Sequence, residues 1–499
     1  MPEMTLRRML VGVTVEGSHG NLDVPIRGIV YDSRDAEPGS LFVAMGGLHT
    51  DGARYIADAA RRGAAAVLHA GSVSIPDGMA AVRVKDPRTA LSPIAAEFFG
   101  HPSRSLRVIG VTGTDGKSST VWFLSQLLDM QGKTNGFLST VSFKTADTIV
   151  KNPFRQSTPE ASEIQGMLRG MVDIGKEFAI VEATSHGLSA RMNRLGDVRF
   201  EAAVLTNVTH EHQEFHGSFE QYRSDKANLF RALSGPPRFG VVNEDDPSAS
   251  YFRAAASVPV HGYSARGSAD LSAGALRSDI RGTSFALRHA GREVETRINI
   301  PGPFWVENFL AACLTTATLL QVDPLSVAPS AARLTSVHGR MSYVHRGQPF
   351  AVIVDYAHTP GAFGRLFPWV RAHTKGRVTA VFGSAGERDG AKRPMQGKAA
   401  AEGCDVVVVT DEDPRGEDRM SILEQIAAGC EGKTRGEDLF LVPDRREAIR
   451  LALSRAAPGD TVLLLGKGHE GSIIGPGGPA PWDEQAEAEA ALASLGFRG

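Results

Sequence analysis

One segment of the chain, Val108-Ile-Gly-Val-Thr-Gly-Thr-Asp-Gly-Lys-Ser-Ser119, constrains the fold more than any other. A short β-branched run leads into a glycine loop, and the residues after the loop repeat apolar side chains at helical spacing, at Val121, Leu124, Leu127 and Leu128. A buried strand followed by a loop and then a helix is the building unit of parallel α/β sheets. We therefore predict an α/β protein with this loop at the carboxyl end of a strand.

The loop itself has the chemistry of a phosphate site. Gly113 and Gly116 allow positive φ, so that backbone N–H groups can close on an anion at the start of a helix. Lys117 supplies a point charge for phosphates and Ser118 a hydroxyl for Mg²⁺. The first glycine of the usual P-loop is replaced by Val111, which leaves a compact Gly-x-x-Gly-Lys-Ser variant. We predict ATP and Mg²⁺ binding; the alternative is an ordinary strand–turn–helix.

Composition excludes several classes of protein. The length of 499 residues corresponds to about three domains. A net charge of −2 provides no basic field for nucleic acid. No apolar run is long enough to span a membrane, and the three cysteines lack metal-type spacing, which is typical of a reducing compartment. We expect a cytoplasmic protein with no nucleic-acid or membrane partner.

The chain divides into three predicted domains, at residues 1–103, 104–337 and 338–499. The first has strands near 29–34, 39–45 and 65–69 and a helix near 54–62, which indicates a small α/β domain, and Gly100–Arg104 is predicted to be a linker. The second opens with the phosphate loop and contains buried strands at Phe178–Glu182 and Ala202–Asn207, a β-rich stretch near 257–300 and a helix at 306–320.

The third domain repeats a strand–loop–helix pattern four times. Its strands are predicted at 350–355, 378–382, 405–410 and 461–465, and each ends in a polar or glycine loop. This pattern predicts a doubly wound, Rossmann-like parallel sheet. Ligands of such sheets lie beyond the carboxyl ends of the strands, where all four loops fall.

Several residues of the second domain are candidates for metal chemistry. Glu182 ends a buried strand, so it is either a Mg²⁺ ligand or a solvated strand-end carboxylate. The segment Thr206–His216 contains three histidines and two glutamates, and we prefer a polar loop that organises magnesium and phosphate over a zinc site. Lys226, taken alone, is an ordinary helix lysine.

The loops of the third domain carry charges of both signs. Arg340 and Asp355 lie in segments that favour a nucleotide contact. Arg388, Asp413, Arg415 and Glu470 could together hold a zwitterion, because arginine binds a carboxylate bidentately and acidic groups receive an ammonium. Surface ion pairs are the alternative.

Taken in order, these motifs give the chain an end-to-end resemblance to the Mur ligase family. The matching segments are Tyr31–Arg34 with Pro38–Val43, Gly113–Ser118, Ser157–Glu160, Glu182–His186, Thr206–Thr209 with His212 and Phe215–Gly217, Lys226, Glu307–Asn308, Gly339–Met341, Asp355–Pro360 and Gly466–Glu470. Among Mur ligases, the pattern is most similar to the enzymes that add the third residue of the peptidoglycan stem peptide.

The resemblance implies a reaction and a three-domain fold: a uridine-binding domain, a central P-loop ATPase-like domain with a parallel sheet, and a Rossmann-like domain that binds the amino acid. ATP would phosphorylate the terminal carboxylate of UDP-MurNAc-L-Ala-D-Glu. The amine of a diamino acid would then attack the acyl phosphate and release phosphate. L-lysine, L-ornithine and meso-diaminopimelate all remain open as acceptors.

The resemblance also assigns roles to residues. Lys117, Glu182, His212 and Lys226 would be catalytic, and Mg²⁺ would be held by Ser118, Glu182, His212 and a carbamylated Lys226. The ATP site would comprise Gly113, Thr114, Asp115, Gly116, Lys117, Ser118, Ser119, Asn308, Arg340 and Asp355. The UDP-MurNAc-dipeptide would contact Ser33, Ser157, Thr158, Thr184 and Arg194, with Arg191 as the alternative to Arg194.

The predicted acceptor pocket, formed by Arg388, Glu412, Asp413, Arg415, Gly466 and Glu470, departs from the family pattern. The diaminopimelate-adding enzymes typically have Asp-Asn-Pro-Arg where this chain has Glu412-Asp413-Pro414-Arg415. An anionic Asp413 in place of a neutral amide should favour an ammonium end, as in lysine or ornithine. Arg415, however, could still hold a distal carboxylate.

Two further functions remain as alternatives. One is a different amide ligase, either folylpolyglutamate synthase or another Mur step, although the Tyr31–Arg34 segment argues against the folate enzyme. The other is a nucleotide-binding protein without catalysis. The family is usually monomeric, which is what we expect here.

Overall fold

The computed structural model describes residues 4–47, 51–154, 156–209, 213–279 and 281–498, although not the side chains of residues 213 and 214. Two compact units are present. The first comprises residues 1–274, 286–294 and 306–330, and the second comprises residues 275–285, 295–305 and 331–499. Both are α/β, as predicted; the domain boundaries near 103 and 337 remain predictions.

The first unit begins with a small five-stranded sheet in the order β2-β7-β6-β5-β4, which is parallel except for β2. The helices and strands of residues 4–98 are β1 (Met4–Thr5), α1 (Leu6–Met9), β2 (Val15–His19), β3 (Pro25–Ile26), β4 (Gly28–Val30), β5 (Ser40–Val43), α2 (Ile56–Arg61), β6 (Ala66–His69), β7 (Ala80–Val84) and α3 (Pro87–Phe98). Apolar side chains of β5, β6 and β7 alternate between two clusters on opposite faces of this sheet.

The segment predicted to be a linker is instead packed. Pro102–Arg104 form a turn of 3₁₀ helix, and the buried Ser103 hydroxyl accepts a hydrogen bond from the backbone N–H of Arg199 at 3.0 Å. Glycine and proline mark a turn in sequence, but they do not distinguish an exposed turn from one held by tertiary contacts.

A larger sheet follows, with the strands in the order β11-β10-β9-β12-β8-β13-β14-β15-β16-β17-β18. Its elements are β8 (Arg107–Thr112), α4 (Lys117–Met130), β9 (Asn135–Leu138), β10 (Ser142–Lys144), β11 (Val150–Lys151), α5 (Ala161–Asp173), β12 (Phe178–Glu182), α6 (Ser185–Leu188), β13 (Phe200–Leu205), α7 (Gln213–His216), α8 (Phe219–Arg231), β14 (Phe239–Asn243), α9 (Ala249–Ala255), β15 (Val260–Ser264), β16 (Leu271–Asp279), β17 (Gly282–His289), β18 (Arg292–Ile298), α10 (Trp305–Leu320) and α11 (Pro324–Val327). Strand β8 lies between β12 and β13 and is parallel to both. The loops after these three strands therefore share one edge of the sheet.

The sheet of the second unit has the order β19-β20-β24-β21-β22-β23, with only β19 antiparallel. Its elements are β19 (Ser342–Tyr343), β20 (Ala351–Asp355), α12 (Pro360–His373), β21 (Val378–Phe382), α13 (Lys392–Gly403), β22 (Val406–Val409), α14 (Arg419–Ala427), β23 (Leu439–Leu441), α15 (Arg445–Ser454), β24 (Thr461–Leu465), β25 (Ser472–Gly475), β26 (Gly478–Pro481) and α16 (Glu484–Ser494). The four predicted strands are confirmed. The parallel strand β23 was missed because its three residues are too short an apolar run to stand out.

A buried ion pair joins the last two helices to this sheet. The Arg445 guanidinium donates to both carboxylate oxygens of Glu484, at 2.6 and 2.8 Å, and both side chains are fully buried. It also donates to the carbonyl oxygens of Asp411 and Leu465, at 2.9 and 2.7 Å. The pair therefore fixes the loops that follow β22 and β24.

We expect Glu484→Gln to lower the free energy of unfolding by about 3 kcal/mol, because it leaves a buried guanidinium without its counter-charge. The matched control is Glu487→Gln, which removes the partner of the exposed Arg446 on the same two helices. That change should cost at most about 1 kcal/mol. Urea unfolding measures both, and equal losses would contradict the importance of the buried pair.

In the described part of the chain, no single helix is long and apolar enough to cross a membrane; one bent pair, Trp305–Leu320 with Pro324–Arg333, meets the length and composition test only when taken together.

Candidate functional site

The glycine loop after β8 is closely packed on both sides. Gly113 and Gly116 have φ of +146° and +82°. A Cβ at Gly113 would lie 1.8 Å from the Thr206 hydroxyl oxygen, and one at Gly116 would lie 2.4 Å from Asn308 Oδ1. Both positions therefore require glycine, for conformation and for space. The predicted strand–loop–helix is confirmed.

Lys117, the predicted cation of the glycine loop, contacts the backbone of that loop. Lys117 begins α4, and its Nζ donates to the carbonyl oxygen of Thr114 at 2.7 Å. On the other side of the loop, Thr206 Oγ1 donates to the carbonyl oxygen of Asp115 at 2.6 Å. The loop therefore combines a positive side chain with the N-terminus of a 14-residue helix, an arrangement that favours anions.

The two predicted metal ligands at this edge are in direct contact. Ser118 Oγ donates to Glu182 Oε2 at 2.9 Å. Thr140 donates to the same carboxylate from its backbone N–H at 2.9 Å and from its hydroxyl at 2.7 Å. The pairing of β12 with β8 places Glu182 opposite Val111, which explains the proximity. Glu182 is thus a buried carboxylate held by hydrogen bonds, and not a solvated strand end.

Lys226 is buried beneath the same loop. It lies on α8, is 2% exposed, and its Nζ donates to the carbonyl oxygen of Gly113 at 2.7 Å. The same nitrogen lies 4.3 Å from the centre of the Tyr222 ring. A lysine that looks ordinary in the helix pattern is therefore directed at the phosphate loop.

The histidine-rich segment is only partly described. His210, Glu211 and His212 lie outside the described residues, so the role predicted for His212 stays a prediction. The third histidine, His216, is buried, with Nδ1 2.7 Å from Asp225 Oδ2 and Nε2 3.0 Å from Ser185 Oγ. Within the described ranges, no group of three or more histidine, cysteine or acidic side chains is arranged to hold a metal ion.

Most of the residues predicted to bind the UDP-sugar dipeptide form one hydrogen-bonded group. Thr158 Oγ1 lies 2.9 Å from Thr184 Oγ1 and donates to the Glu182 carbonyl oxygen at 2.9 Å. Arg194 donates to the Thr158 carbonyl oxygen at 2.9 Å and to Glu160 at 2.7 Å. This group therefore contacts the backbone of Glu182.

The two candidate arginines and the remaining predicted dipeptide contacts, Ser157 and Ser33, have different surroundings. Arg194 is buried, whereas Arg191 is exposed, with its guanidinium 5.2 Å from the centre of the Phe215 ring. Ser157 is half-buried. Ser33, in a turn of 3₁₀ helix between β4 and β5, donates to Asp58 at 2.9 Å. The geometry leaves Arg191 accessible to a ligand and engages Arg194 within the chain.

The predicted ATP-binding residues outside the glycine loop belong to different units: Asn308 to the first, and Arg340 and Asp355 to the second. Asn308 accepts from the Thr120 hydroxyl at 3.4 Å in the first unit. In the second unit, Asp355 accepts from the backbone N–H groups of Met341 and Ala357, both at 2.8 Å. Burial raises the pKa of Asp355. The Arg340 guanidinium lies 4.5 Å from the centre of the Tyr356 ring.

The predicted acceptor pocket holds a lysine that the sequence analysis did not single out. Lys467 is fully buried, and its Nζ donates to Asp413 Oδ1 at 2.8 Å and to Glu470 Oε2. Asp413 Oδ1 also accepts from the backbone N–H of Ile474 at 2.9 Å. The charge of Asp413 is therefore balanced inside the chain, so it is not the open anion that the sequence suggested.

The remaining pocket residues differ in exposure. Glu412 is buried and its pKa is raised by burial. Arg388 is exposed, while Arg415 is half-buried with φ of +56°. Gly466 directly follows β24, with φ of +99°. Glu412 and Gly466 are neighbours, because a Cβ at Gly466 would lie 3.5 Å from Glu412 Oε2.

Comparison with known proteins agrees with this architecture. Models of three domains match the chain: the catalytic domain of the Mur ligase family at residues 25–99, the Mur ligase middle domain at 111–316, and the Mur ligase glutamate ligase domain at 339–468. The chain belongs to the Mur ligase family.

Individual relatives match over almost the whole chain. The UDP-N-acetylmuramyl-tripeptide synthetase of Roseiflexus sp. (strain RS-1) is 50% identical, with 95% of this chain and 96% of the relative covered. A solved UDP-N-acetylmuramoyl-L-alanyl-D-glutamate--2,6-diaminopimelate ligase is 26% identical, with 99% of each chain covered and a TM-score of 0.68. The MurF ligase of Thermotoga maritima in complex with ADP shares the fold, with a TM-score of 0.63, 21% identity and coverage of 94% of this chain and 96% of that one.

Proposed function

We propose that this chain is an ATP-dependent, ADP-forming ligase of peptidoglycan synthesis that joins a diamino acid to UDP-MurNAc-L-Ala-D-Glu. The observation that carries the proposal is the convergence of Lys117, Ser118, Glu182 and Lys226 on one glycine loop. The name of the Roseiflexus relative, a tripeptide synthetase, supports the substrate.

In the proposed reaction, an oxygen of the terminal carboxylate attacks the γ-phosphorus of ATP, and ADP leaves. The amine of the acceptor then attacks the acyl phosphate, loses a proton and expels inorganic phosphate. The chain has to align two anions and exclude water from the acyl phosphate. Lys117 and the N-terminus of α4 would offset the negative charge on the phosphates.

The residues at the loop also fit Mg²⁺. The hydroxyl of Ser118 and the carboxylate of Glu182 are hard oxygen donors 2.9 Å apart. His212 and a carbamylated Lys226 would complete the set. When bound, Mg²⁺ would neutralise charge on the phosphates.

Different parts of the chain would bind different parts of the substrates. Residues 1–103, with Ser33, would bind uridine, and the Thr158–Thr184 group with Ser157 and one of Arg191 or Arg194 would bind the muramoyl dipeptide. Asn308, Arg340 and Asp355 would contact the nucleotide of ATP. We place the enzyme in the cytoplasm as a monomer; its three cysteines are buried and free, which supports a reducing compartment.

Phosphate release tests the proposal directly. Purified protein with ATP, Mg²⁺, UDP-MurNAc-L-Ala-D-Glu and a set of amino acids should release phosphate only when every component is present. Omitting each component in turn is the control. No amino-acid-dependent release with L-lysine, L-ornithine, meso-diaminopimelate or L-glutamate would contradict the proposal and favour a nucleotide-binding protein without catalysis.

A further inference from the structure

A small cavity opens at the amino ends of β8, β13 and β14, three neighbouring parallel strands of the first unit. Its volume is about 240 Å³. The glycine loop follows the opposite, carboxyl end of β8, which is six residues long. Since a strand rises by about 3.3 Å per residue, the two ends of β8 are about 20 Å apart. The cavity is therefore distinct from the phosphate loop.

Arginine residues dominate the lining of this cavity. Arg104 lies in the 3₁₀ turn before β8, Arg199 immediately precedes β13, and Arg238 immediately precedes β14. A fourth, Arg107, begins β8. The parallel pairing of the strands gathers these residues at one edge of the sheet. In their own segments they are isolated arginines, so the sequence does not mark them.

One of the four arginines is neutralised within the lining. Arg107 donates to both carboxylate oxygens of Glu201, at 2.6 and 3.0 Å, and to the carbonyl oxygen of Leu319 at 2.9 Å. Glu201 lies at an irregularity in the pairing of β13 with β8, between Phe200 and Ala202. It is the acidic residue among those that line the cavity, and both of its oxygens are engaged by Arg107.

The other three arginines have no carboxylate partner in the described ranges of the chain. Arg238 donates to the carbonyl oxygens of Phe200, at 3.0 Å, and Ser234. The side chains of Arg104 and Arg199 form no hydrogen bond or ion pair with any described residue. Like charges gathered around one space repel each other, and a bound anion would replace that repulsion by attraction.

The size and charge of the cavity restrict the kind of anion. Pockets for drug-sized molecules typically measure about 300–1,000 Å³. A cavity of about 240 Å³ suits a compact group better than a whole nucleotide. Arg104 and Arg199 are exposed, so an anion can reach them, and the exposed Ser105 in the same lining adds a hydroxyl donor.

From this geometry we propose that the cavity binds a diphosphate group, either free or carried on a larger molecule. A diphosphate has several negative charges and enough oxygens for more than one guanidinium fork, whereas a single carboxylate would leave positive charge uncompensated. Binding there is separate from the proposed ligase reaction, because no residue of the glycine loop takes part.

The test is calorimetric titration with inorganic diphosphate in the absence of Mg²⁺. It is done on Lys117→Ala protein, so that binding at the glycine loop is weakened. We expect one diphosphate to bind at the cavity. Adding Arg104→Ala and Arg199→Ala should weaken this binding by about 100-fold, since each lost charge-assisted hydrogen bond corresponds to about a factor of ten.

The matched control adds Arg450→Ala to the Lys117→Ala protein. Arg450 is an exposed arginine on α15, in the second unit, and its loss should leave the affinity unchanged. Circular dichroism establishes that each variant is folded, which is expected because the side chains of Arg104 and Arg199 hold no other described residue.

Guanosine diphosphate in the same titration separates the two sources of the group. Tighter binding than that of inorganic diphosphate, lost with the same two arginines, would assign the site to a diphosphate carried on a larger molecule. Binding of the inorganic ion alone would assign it to free diphosphate. No binding of either ligand to the Lys117→Ala protein, or equal affinity after removal of Arg104 and Arg199, would overturn the proposal.

Discussion

Replacing Lys117 with alanine is expected to lower kcat by about 1000-fold, at the upper end of the losses seen when one group that stabilises a transition state is removed. Lys117 is the cation of the loop, and its Nζ now lies 2.7 Å from the Thr114 carbonyl oxygen, within reach of any phosphate that the loop binds. Without it, negative charge that develops during phosphoryl transfer loses a compensating point charge. Phosphate release under saturating substrates measures the effect.

The control for this variant lies at the other end of the same helix. Lys133 follows α4 and pairs with Glu177 at 3.3 Å, on the part of the sheet away from the glycine loop. Lys133→Ala should retain wild-type activity. If Lys117→Ala kept a tenth or more of the wild-type rate, the glycine loop would not be the site of phosphoryl transfer.

Lys226→Ala should be nearly as damaging, and it should be partly rescued by a small carboxylate. In the proposed modification, the neutral Nζ attacks CO₂, a new N–C bond forms and a proton is released, so that a cation becomes an anion. Lys226 is 2% exposed and its Nζ lies 2.7 Å from the Gly113 carbonyl oxygen. The carbamate would be one of the oxygen donors that hold Mg²⁺ at the phosphate loop. We expect a loss of about 1000-fold in kcat.

Rescue separates this chemistry from a purely structural role. Acetate or formate should restore part of the activity of Lys226→Ala and have no effect on Lys226→Arg, which keeps a positive charge and is not carbamylated. Circular dichroism establishes that both variants are folded. Full activity in Lys226→Ala, or a folded variant that no carboxylate rescues, would contradict the proposed role.

The sequence predicted the parts of the fold that depend on local patterns. The run from Val108 to Leu128 combines a buried strand, a glycine loop and an amphipathic helix, and each predicts its own structure without help from distant residues. The parallel strands of the second unit were found for the same reason, except for Leu439–Leu441, which is too short to show a pattern.

Long-range pairings could not be predicted in this way. Lys467 and Asp413 are 54 positions apart, and the sequence of neither segment indicates that the lysine balances the charge of the aspartate. Lys226 lies 113 positions from the residue whose carbonyl oxygen it contacts, so its own segment shows only the pattern of an ordinary helix lysine. Only resemblance to a family marked it as functional.

The central claim, that the terminal carboxylate of the dipeptide is activated by ATP, is tested most directly by following oxygen. UDP-MurNAc-L-Ala-D-Glu labelled with ¹⁸O in that carboxylate would be incubated with ATP, Mg²⁺ and L-lysine or L-ornithine, and the phosphate and the nucleotide product analysed by mass spectrometry. An acyl phosphate predicts one ¹⁸O in each phosphate released and a product heavier by one amino-acid residue. Unlabelled phosphate, or phosphate without ligated product, would contradict it.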